Sequence, residues 1–221
     1  MNIYHNRQHA GIILAQALSA YANQKNLLIL ALPRGGVPVA YEVAKSLHAP
    51  LDVFIVRKVG APGHSELALG AIAMGNRGNI EIFNEELINH LHMSVTALEP
   101  IIHAEQQELK RREQLYRDNK PFPLLTDKIV ILIDDGIATG ASMRAAIKAL
   151  RQLQPQQLIV AVPVAEKIVC DAIAATVDTF ICPLQPDDLN AVGSWYEDFT
   201  QTEDTEVRDL LQRANRKMHL F

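Results

Sequence analysis

The sequence has 221 residues, of which 48% are hydrophobic, so it can bury a large core without help from a metal or a disulfide. Its 21 basic and 25 acidic residues give a formal net charge of -4, which argues against attraction of nucleic acid or an anionic membrane by the overall field. A local pocket must therefore hold any anionic ligand. The two cysteines, Cys170 and Cys182, have no metal-ligand spacing and predict buried thiols in a reducing compartment. Polar residues interrupt positions 1–21, so we expect no signal peptide, no membrane span and a cytoplasmic location.

Short apolar runs alternate with helical patterns along the chain, which predicts an α/β fold with a central parallel sheet flanked by helices. An opening helix over 7–22 precedes a strand at 27–32, a glycine turn and a helix at 37–47. Two more strands are expected near 53–56 and 80–82. Between them, residues 57–65 form a polar segment with glycine and proline, which predicts a mobile loop, and a stretch of small residues follows it.

The second half of the chain repeats the alternation. The pattern at 85–117 is helical, Pro100 should kink or split that helix, and its charged part at 105–117 predicts a solvated face. The apolar, β-branched run at 129–133 predicts a central strand that is buried on both faces. Helices at 143–153, 166–175 and 203–217 alternate with strands at 158–162 and 179–182. We expect one domain over 1–221, with its core at about 25–183 and the terminal segments as a hood or as flanking helices.

Two carboxylates, Asp134 and Asp135, end the predicted central strand, and small residues then lead into a helix. Ligands of parallel sheets bind at this edge, where glycine lets the backbone wrap an anion and the amide groups of the next helix donate hydrogen bonds. Thr139 and Ser142 can add hydroxyl donors, which predicts a site for a phosphate monoester. The carboxylates stand where the hydroxyl groups of an attached sugar would lie. The alternative is that the acids merely end a strand and Thr139 caps a helix.

The run at 130–142 resembles the motif of type I phosphoribosyltransferases that binds PRPP (5-phosphoribosyl 1-diphosphate). The match covers the apolar strand, the Asp-Asp pair, two small or apolar positions and Ala-Thr-Gly-Ala-Ser, with Ala141 where many relatives have a second glycine. The resemblance implies the fold of that family, with a small hood from outside the core that receives the acceptor. It also implies that the 5′-phosphate is bound by Ala138, Thr139, Gly140, Ala141 and Ser142.

A second glycine turn, Leu32-Pro33-Arg34-Gly35-Gly36, follows the first predicted strand and opens a helix. In the similar family members this loop holds the pyrophosphate through backbone amides, often with an unusual cis peptide. The resemblance therefore implies that Arg34 and Gly35 bind the pyrophosphate. An ordinary strand-to-helix turn with a surface arginine is the alternative.

The polar segment that begins with Arg57 and Lys58 resembles the flexible lid that closes over PRPP in this family. The resemblance implies that both cations neutralise the departing pyrophosphate. For Arg57 the alternative is a surface ion pair. For His64, which lies further along the segment, a role in the chemistry is disfavoured.

An aromatic cluster near the C-terminus contains Trp195, the only tryptophan, together with Tyr196 and Phe199, in a chain that is 5% aromatic. As part of the hood, Trp195 and Tyr196 could stack on a flat acceptor. Alternatively, the cluster is a hydrophobic clasp that docks the last helix.

The resemblance implies a glycosyltransferase of nucleotide metabolism that moves the 5-phosphoribosyl group of PRPP to a nitrogenous acceptor, expected to be a nucleobase, and releases pyrophosphate. Mg²⁺ would be the cofactor, and Asp134 and Asp135 would contact the ribose directly or the ion through water. With Arg57 and Lys58 they would form the catalytic set. The acceptor cannot be read from these residues, and a homodimer is an expectation that comes from the family alone.

Two other functions remain open. A PRPP-sensing regulatory protein would keep the binding turn and catalyse nothing, although the three cations Arg34, Arg57 and Lys58 favour catalysis. A phosphatase or response-regulator-like domain would instead form an aspartyl phosphate at Asp134 or Asp135. Other nucleotide folds are disfavoured because the sequence has neither a G-x-x-x-x-G-K-[ST] run nor a G-x-G-x-x-G run.

Overall fold

A computed structural model describes residues 3–62, 64–76, 78–91, 93–118 and 120–218. The strands of the described residues, in chain order, are Leu27–Ala31 (β1), Leu51–Val53 (β2), Val56–Ala61 (β3), His64–Ala73 (β4), Ile80–Phe83 (β5), Ile129–Ile133 (β6), Gln157–Ala161 (β7) and Thr179–Ile181 (β8). The α-helices are Arg7–Ala17 (α1), Gly36–Leu47 (α2), Glu85–His90 (α3), Val95–Arg117 (α4), Ala141–Gln152 (α5), Lys167–Ala174 (α6) and Asp204–Met218 (α7).

The central sheet has five parallel strands in the order β2-β1-β6-β7-β8, and helices flank it, so the predicted fold class is confirmed. β1 and β6 run side by side, with Leu27 opposite Ile129 and Ala31 opposite Ile133. Every residue of β1 is buried, as are the last four residues of β6. Their leucine and isoleucine side chains cover both faces of the sheet, as expected of parallel strands between helices.

The segment at 57–65 was predicted as a loop, and this is wrong for most of it. Residues 57–61 and 64–65 belong to a second sheet, which is antiparallel with the order β3-β4-β5, and Gly63 lies outside the described residues. β3 and β4 pair from Val56 opposite Ala73 to Ala61 opposite His64, with irregular register near Gly60. A glycine is needed in β4 because a β-carbon on Gly70 would lie 2.4 Å from the carbonyl oxygen of Ile82 in β5.

The helix predicted at 85–117 is divided, but not at Pro100. The first helix ends at His90 and the next begins at Val95, where Ser94 caps it by accepting a hydrogen bond from the backbone N–H of Ala97 at 3.3 Å. α4 then continues through Pro100. Its charged end is not wholly solvated either, because Arg117 is only 5% exposed and donates two 2.9 Å hydrogen bonds to the carboxylate of Asp52 in β2.

The two terminal segments lie against each other. The backbone N–H of Tyr4 donates to the carbonyl of Trp195 at 2.9 Å, and the N–H of Glu197 donates to the carbonyl of Tyr4 at 2.8 Å. Trp195 and Tyr196 are buried with Tyr4, and Phe199 packs beside them. The aromatic cluster is therefore a clasp, as one interpretation held, but it holds the N-terminal segment instead of the last helix.

Two smaller points concern the rest of the chain. Both thiols are buried as predicted, and each donates to a backbone carbonyl, Cys170 to Ala165 and Cys182 to Leu184. Within the described ranges, none of the helices combines the length and the apolar character that a membrane crossing requires.

Candidate functional site at the sheet edge

The two glycine turns meet at one edge of the central sheet because β1 and β6 are neighbours and both end there. The backbone N–H of Leu32 donates to the carbonyl of Ile133 at 2.9 Å, which ties the start of one turn to the end of the other strand. A β-carbon on Gly35 would lie 2.0 Å from Oδ2 of Asp135. One on Gly36 would lie 2.8 Å from the carbonyl oxygen of Ile133. Glycine at both positions thus lets the first turn touch the acidic pair.

The first turn presents backbone amides toward this edge. The peptide bond between Pro33 and Arg34 is cis, which is the feature that the family resemblance implies for this loop. The amides of Gly36 and Val37 donate to carbonyls within the turn. For the amides of Arg34 and Gly35, no acceptor is found in the part of the chain that the structure describes. These two N–H groups are the natural donors to an anion.

The side chain of Arg34 leans toward the last helix. Its Nη1 lies 3.6 Å from Oδ1 of Asp204, at the start of α7, and the hydroxyl of Tyr116 donates to the same oxygen. About a third of each charged side chain, 31% for Arg34 and 35% for Asp204, remains exposed. This contact holds the guanidinium near the turn without burying it.

The acidic pair is held by residues from both ends of the chain. Oδ2 of Asp135 accepts a 2.7 Å hydrogen bond from Nε of Arg7 in α1, and the two side chains are only 15% and 11% exposed. The hydroxyl of Tyr196 donates to the backbone carbonyl of Asp135. Oδ1 of Asp134 accepts a 2.9 Å hydrogen bond from the N–H of Asp135. Both carboxylates are therefore fixed in position before any ligand arrives.

Burial dominates the ionisation of this pair. It raises the pKa of Asp134, and the neighbouring charge of Asp135 raises it further. It also raises the pKa of Asp135, against which the guanidinium of Arg7 acts by favouring the charged form. Carboxyl groups whose pKa values are raised by burial are common at functional sites, because catalytic and binding groups need environments that shift their ionisation.

Arg7 is the residue that sequence reasoning missed. Besides Asp135, its guanidinium donates to the backbone carbonyl of Thr200 at 2.7 Å and lies 3.9 Å from the ring centroid of Phe199. Nothing in the sequence near Arg7 distinguishes it from a surface arginine of an N-terminal helix, and its partners are all more than 120 positions away in the chain. Only the tertiary structure identifies it.

The second turn forms an open cradle. The N–H of Ile137 donates to the carbonyl of Val164 at 2.9 Å, which anchors the turn to the chain after β7. Ala138, Thr139 and Ser142 are exposed, and Gly140 has a φ of +76°, a left-handed conformation that glycine adopts without strain. α5 begins directly after Gly140, which offers no side-chain cap, and the N–H of Ala141 makes a long 3.5 Å hydrogen bond to Oγ1 of Thr139. For the amides of Ser142 and Met143, no acceptor is found in the described residues, so these two remain available to a ligand.

One further side chain lies over this cradle. Nη2 of Arg144, in the first turn of α5, donates to the carbonyl of Thr139. A β-carbon on Gly140 would lie 2.8 Å from Nη1 of the same guanidinium. The sequence motif ends at Ser142, so it did not include Arg144.

The predicted lid cations lie in β3. Nε of Arg57 is 2.6 Å from Oε2 of Glu105 in α4, with side-chain exposures of 28% and 22%. This is the ion pair that formed the alternative interpretation of Arg57. Lys58 follows on the other face of the strand and is exposed. The observed ion pair therefore joins the antiparallel sheet to α4 and does not reach the acidic pair.

A cleft of about 240 Å³ adjoins the site on the side of the terminal segments. Its lining includes Arg7, Gln8, Pro38, Thr200 and Gln201, which are mostly polar. Arg7 links this cleft to Asp135. Trp195 and Tyr196 do not line it.

The donor set at this edge suits a hard cation only in part. No group of three or more histidine, cysteine, aspartate or glutamate side chains in the described residues could hold a metal. The two adjacent carboxylates match the way magnesium is bound when a phosphorylated substrate supplies the remaining oxygens. The residues thus fit Mg²⁺ that arrives with a diphosphate, not an ion held by protein alone.

Comparisons with known proteins cover nearly the whole chain. A family model for the phosphoribosyl transferase domain matches residues 2–188. Curated relatives from two strains of Mycobacterium tuberculosis, which carry phosphoribosyl transferase as a provisional name, are 41% identical over 216 residues, or 98% of this chain and 48% of theirs. The chain therefore spans about half the length of the curated relatives it matches.

Solved structures give the same picture of the fold. A crystal structure of a Thermus thermophilus protein is 37% identical, covers 96% of this chain and 98% of its own, and superposes with a TM-score of 0.82. An Aquifex aeolicus structure at 12% identity covers 93% of this chain and 84% of its own with a TM-score of 0.52, which supports the fold alone.

Proposed function

The chain belongs to the phosphoribosyl transferase family, and from this premise we propose that it binds PRPP with Mg²⁺ and transfers the 5-phosphoribosyl group to a nitrogenous acceptor, with release of pyrophosphate. The single observation that carries the proposal is the contact between Gly35 and Asp135. It joins two anion turns across one pair of carboxylates. A sugar with a phosphate at one end and a diphosphate at the other requires two anion-binding turns, one on each side of the groups that bind its hydroxyls.

In the proposed reaction the bond between C1 of the ribose and the diphosphate oxygen breaks, and a bond from C1 to the acceptor nitrogen forms. The cradle at 138–142 would hold the 5′-phosphate, and the amides of Arg34 and Gly35 would hold the pyrophosphate. The carboxylates of Asp134 and Asp135 would bind the ribose hydroxyls and stabilise the positive charge that develops on the ring. Mg²⁺, bound through water to these carboxylates, would supply charge neutralisation at the diphosphate.

The acceptor would enter through the cleft beside Arg7. Its volume of about 240 Å³ accommodates one small heterocycle or amine, and its amide and hydroxyl groups can donate and accept hydrogen bonds. We propose that Trp195 and Tyr196 contribute to this acceptor site only indirectly, because the hydroxyl of Tyr196 donates a hydrogen bond to the backbone carbonyl of Asp135. The acceptor nitrogen would lose its proton to solvent or to a carboxylate of the pair.

One observation favours a second function, a PRPP sensor without turnover. Arg57, which the family resemblance makes a lid cation, is already paired with Glu105 at 2.6 Å. Catalysis would require that pair to open so that Arg57 and Lys58 could reach the pyrophosphate. A sensor would need no such movement.

The two functions are separated by a magnesium-dependent screen of purines, pyrimidines and small amines with PRPP, scored by pyrophosphate release. A transferase should release pyrophosphate with at least one acceptor. Calorimetric PRPP binding without turnover on any acceptor would establish the sensor instead.

The site assignment is tested by two substitutions. Asp135→Asn should lower kcat by about a hundredfold, because it removes charge that acts on the transition state, and should change PRPP affinity less. Thr139→Ala should weaken PRPP binding by about tenfold, the effect of one lost hydrogen bond, and leave kcat nearly unchanged. Negligible effects of both substitutions would refute the site.

A further inference from the structure

We infer that Arg144 is a ligand of the 5′-phosphate and makes the cradle selective for a phosphorylated sugar. The inference rests on the proposed function and adds a charged side chain to a site that the family motif describes only through small residues and hydroxyl groups. It concerns the affinity and selectivity of binding, not the chemical step.

The position of the guanidinium carries the first part of the argument. Arg144 lies on the first turn of α5, and its side chain folds back over the turn, where Nη2 donates to the carbonyl of Thr139. Its backbone N–H donates to the carbonyl of Gly140 at 2.8 Å, which fixes the start of the side chain. Since Nη1 would be 2.8 Å from a β-carbon on Gly140, the missing side chain of that glycine leaves room for the cation. The guanidinium therefore lies directly beside the exposed Thr139, at the start of the helix where the amides of Ser142 and Met143 have no acceptor in the described residues.

Arg144 also lacks a charged partner. Within the described residues, no carboxylate lies within ion-pair distance of Arg144. By contrast, Arg151, two turns along the same helix, is paired with Asp178 at 3.0 Å. A single carbonyl uses one of the five N–H donors of a guanidinium, so Arg144 keeps donors for an anion.

The charge balance of the site explains why a cation is useful there. The cradle begins three residues after the acidic pair, in which Asp135 is balanced by Arg7 but Asp134 has no cationic partner among the described residues, and the whole chain has a formal charge of -4. A phosphate dianion therefore approaches against repulsion. Backbone amides and the helix dipole supply only partial positive charge. A guanidinium next to the turn offsets this repulsion and can bind two phosphate oxygens at once.

Binding would then follow a simple exchange. Arg144 releases the carbonyl of Thr139 and donates to phosphate oxygens, while backbone amides of the turn donate to other oxygens of the same phosphate. A sugar without the phosphate offers Arg144 only neutral hydroxyl oxygens and no anion, so it gains little from the charge. The contribution of Arg144 should therefore appear only with ligands that carry the 5′-phosphate.

The test uses ribose 5-phosphate as the probe, with calorimetry on the full chain at low and at moderate salt. Arg144→Gln should weaken ribose 5-phosphate binding by about tenfold at low salt, as expected for a charge-assisted hydrogen bond that is open to solvent, and the loss should shrink as salt is added. Arg144→Lys should recover part of the affinity, because it restores charge without the planar fork. Lys148→Gln, one turn along the same exposed helix face, is the matched control and should bind like the wild type.

The outcomes distinguish this inference from the proposed function. Wild-type protein that binds neither ribose 5-phosphate nor PRPP would overturn both. Wild-type binding together with unchanged affinity in Arg144→Gln would overturn the role of Arg144 alone. In that case a lower melting temperature of Arg144→Gln would identify the side chain as a brace for the turn.

Discussion

Asp134 and Asp135 end a strand whose last four residues are all buried, and this placement has an energetic cost that a purely structural residue would avoid. Burial raises the pKa of both carboxyl groups, which means that the folded state resists their ionisation. The proposed chemistry needs the ionised form, so stability and activity depend on pH in opposite directions. Such opposition is common at functional sites.

This opposition can be measured with Asp134→Asn. A carboxyl group with a raised pKa binds its proton more tightly in the folded state, so stability is lost as pH rises from the ordinary aspartate pKa of about 3.9 toward the raised value. Asparagine does not ionise, so the variant does not lose stability in this way as pH rises. Its side-chain oxygen can still accept the hydrogen bond from the N–H of Asp135. We expect the variant to become more stable relative to the wild type as pH rises above about 4, the ordinary aspartate pKa, as followed by urea denaturation, while pyrophosphate release is lost.

Asp171→Asn, an exposed change on α6, serves as the control and should show no such trend with pH. If Asp134→Asn were less stable than the wild type at every pH, the carboxylate would be a net support of the fold and the opposition would not exist.

At the scale of elements, the sequence predicted the alternation of strands and helices because each central strand is a short apolar run with its own turn. The prediction failed where the secondary structure of a segment depends on the strands with which it pairs. The segment at 57–65 is polar, with glycine and proline, and most of it forms strands because β4 lies between β3 and β5 and contributes buried Leu69 and Ala71. The contacts of Arg7 were unpredictable for a similar reason, since they join α1 to the acidic turn and to the C-terminal segment.

Arg7→Gln tests how strongly α1 is fastened to the site. Breaking a largely buried ion pair leaves the charge of Asp135 without compensation, so we expect a loss of about 2–3 kcal/mol in the free energy of unfolding, measured in urea. Arg111→Gln is the control, because Arg111 is 53% exposed and its pair with Glu108 should contribute less than about 0.5 kcal/mol. Equal losses in the two variants would mean that the Arg7 pair is a surface contact in energetic terms.

At the scale of the whole molecule, composition directs attention to a local site, because a chain with a net charge of -4 cannot collect anions by its overall field. The strand order then explains how that site arises. Neighbouring β1 and β6 place both glycine turns at one edge, and the motif at 130–142 made this edge predictable from sequence. The terminal segments were predicted as a hood or as flanking helices, but the hydrogen bonds that join Tyr4 to Trp195 and Glu197 link opposite ends of the chain and leave no mark in the local sequence.

A ligand that bridges these parts should stabilise the molecule as a unit. At a hundred times its dissociation constant, PRPP with Mg²⁺ should add about 2.7 kcal/mol, which for a chain of this size corresponds to a rise of about 5–10 °C in Tm. Thermal unfolding with and without Mg²⁺ would check this, with unphosphorylated ribose as the control that leaves Tm unchanged. The absence of any shift at millimolar PRPP would contradict binding itself.

The adjacency of β1 and β6 also governs how the molecule is made. During synthesis, Leu27–Ala31 leaves the ribosome long before Ile129–Ile133 exists, so the apolar nascent strand must wait with one side of its backbone unpaired while β2, the antiparallel hairpin and α4 emerge. Contacts between such distant segments close slowly, and waiting strands are prone to aggregate. Competence for binding therefore comes late in folding, and truncated chains that stop before β6 would contain the first turn without its partner.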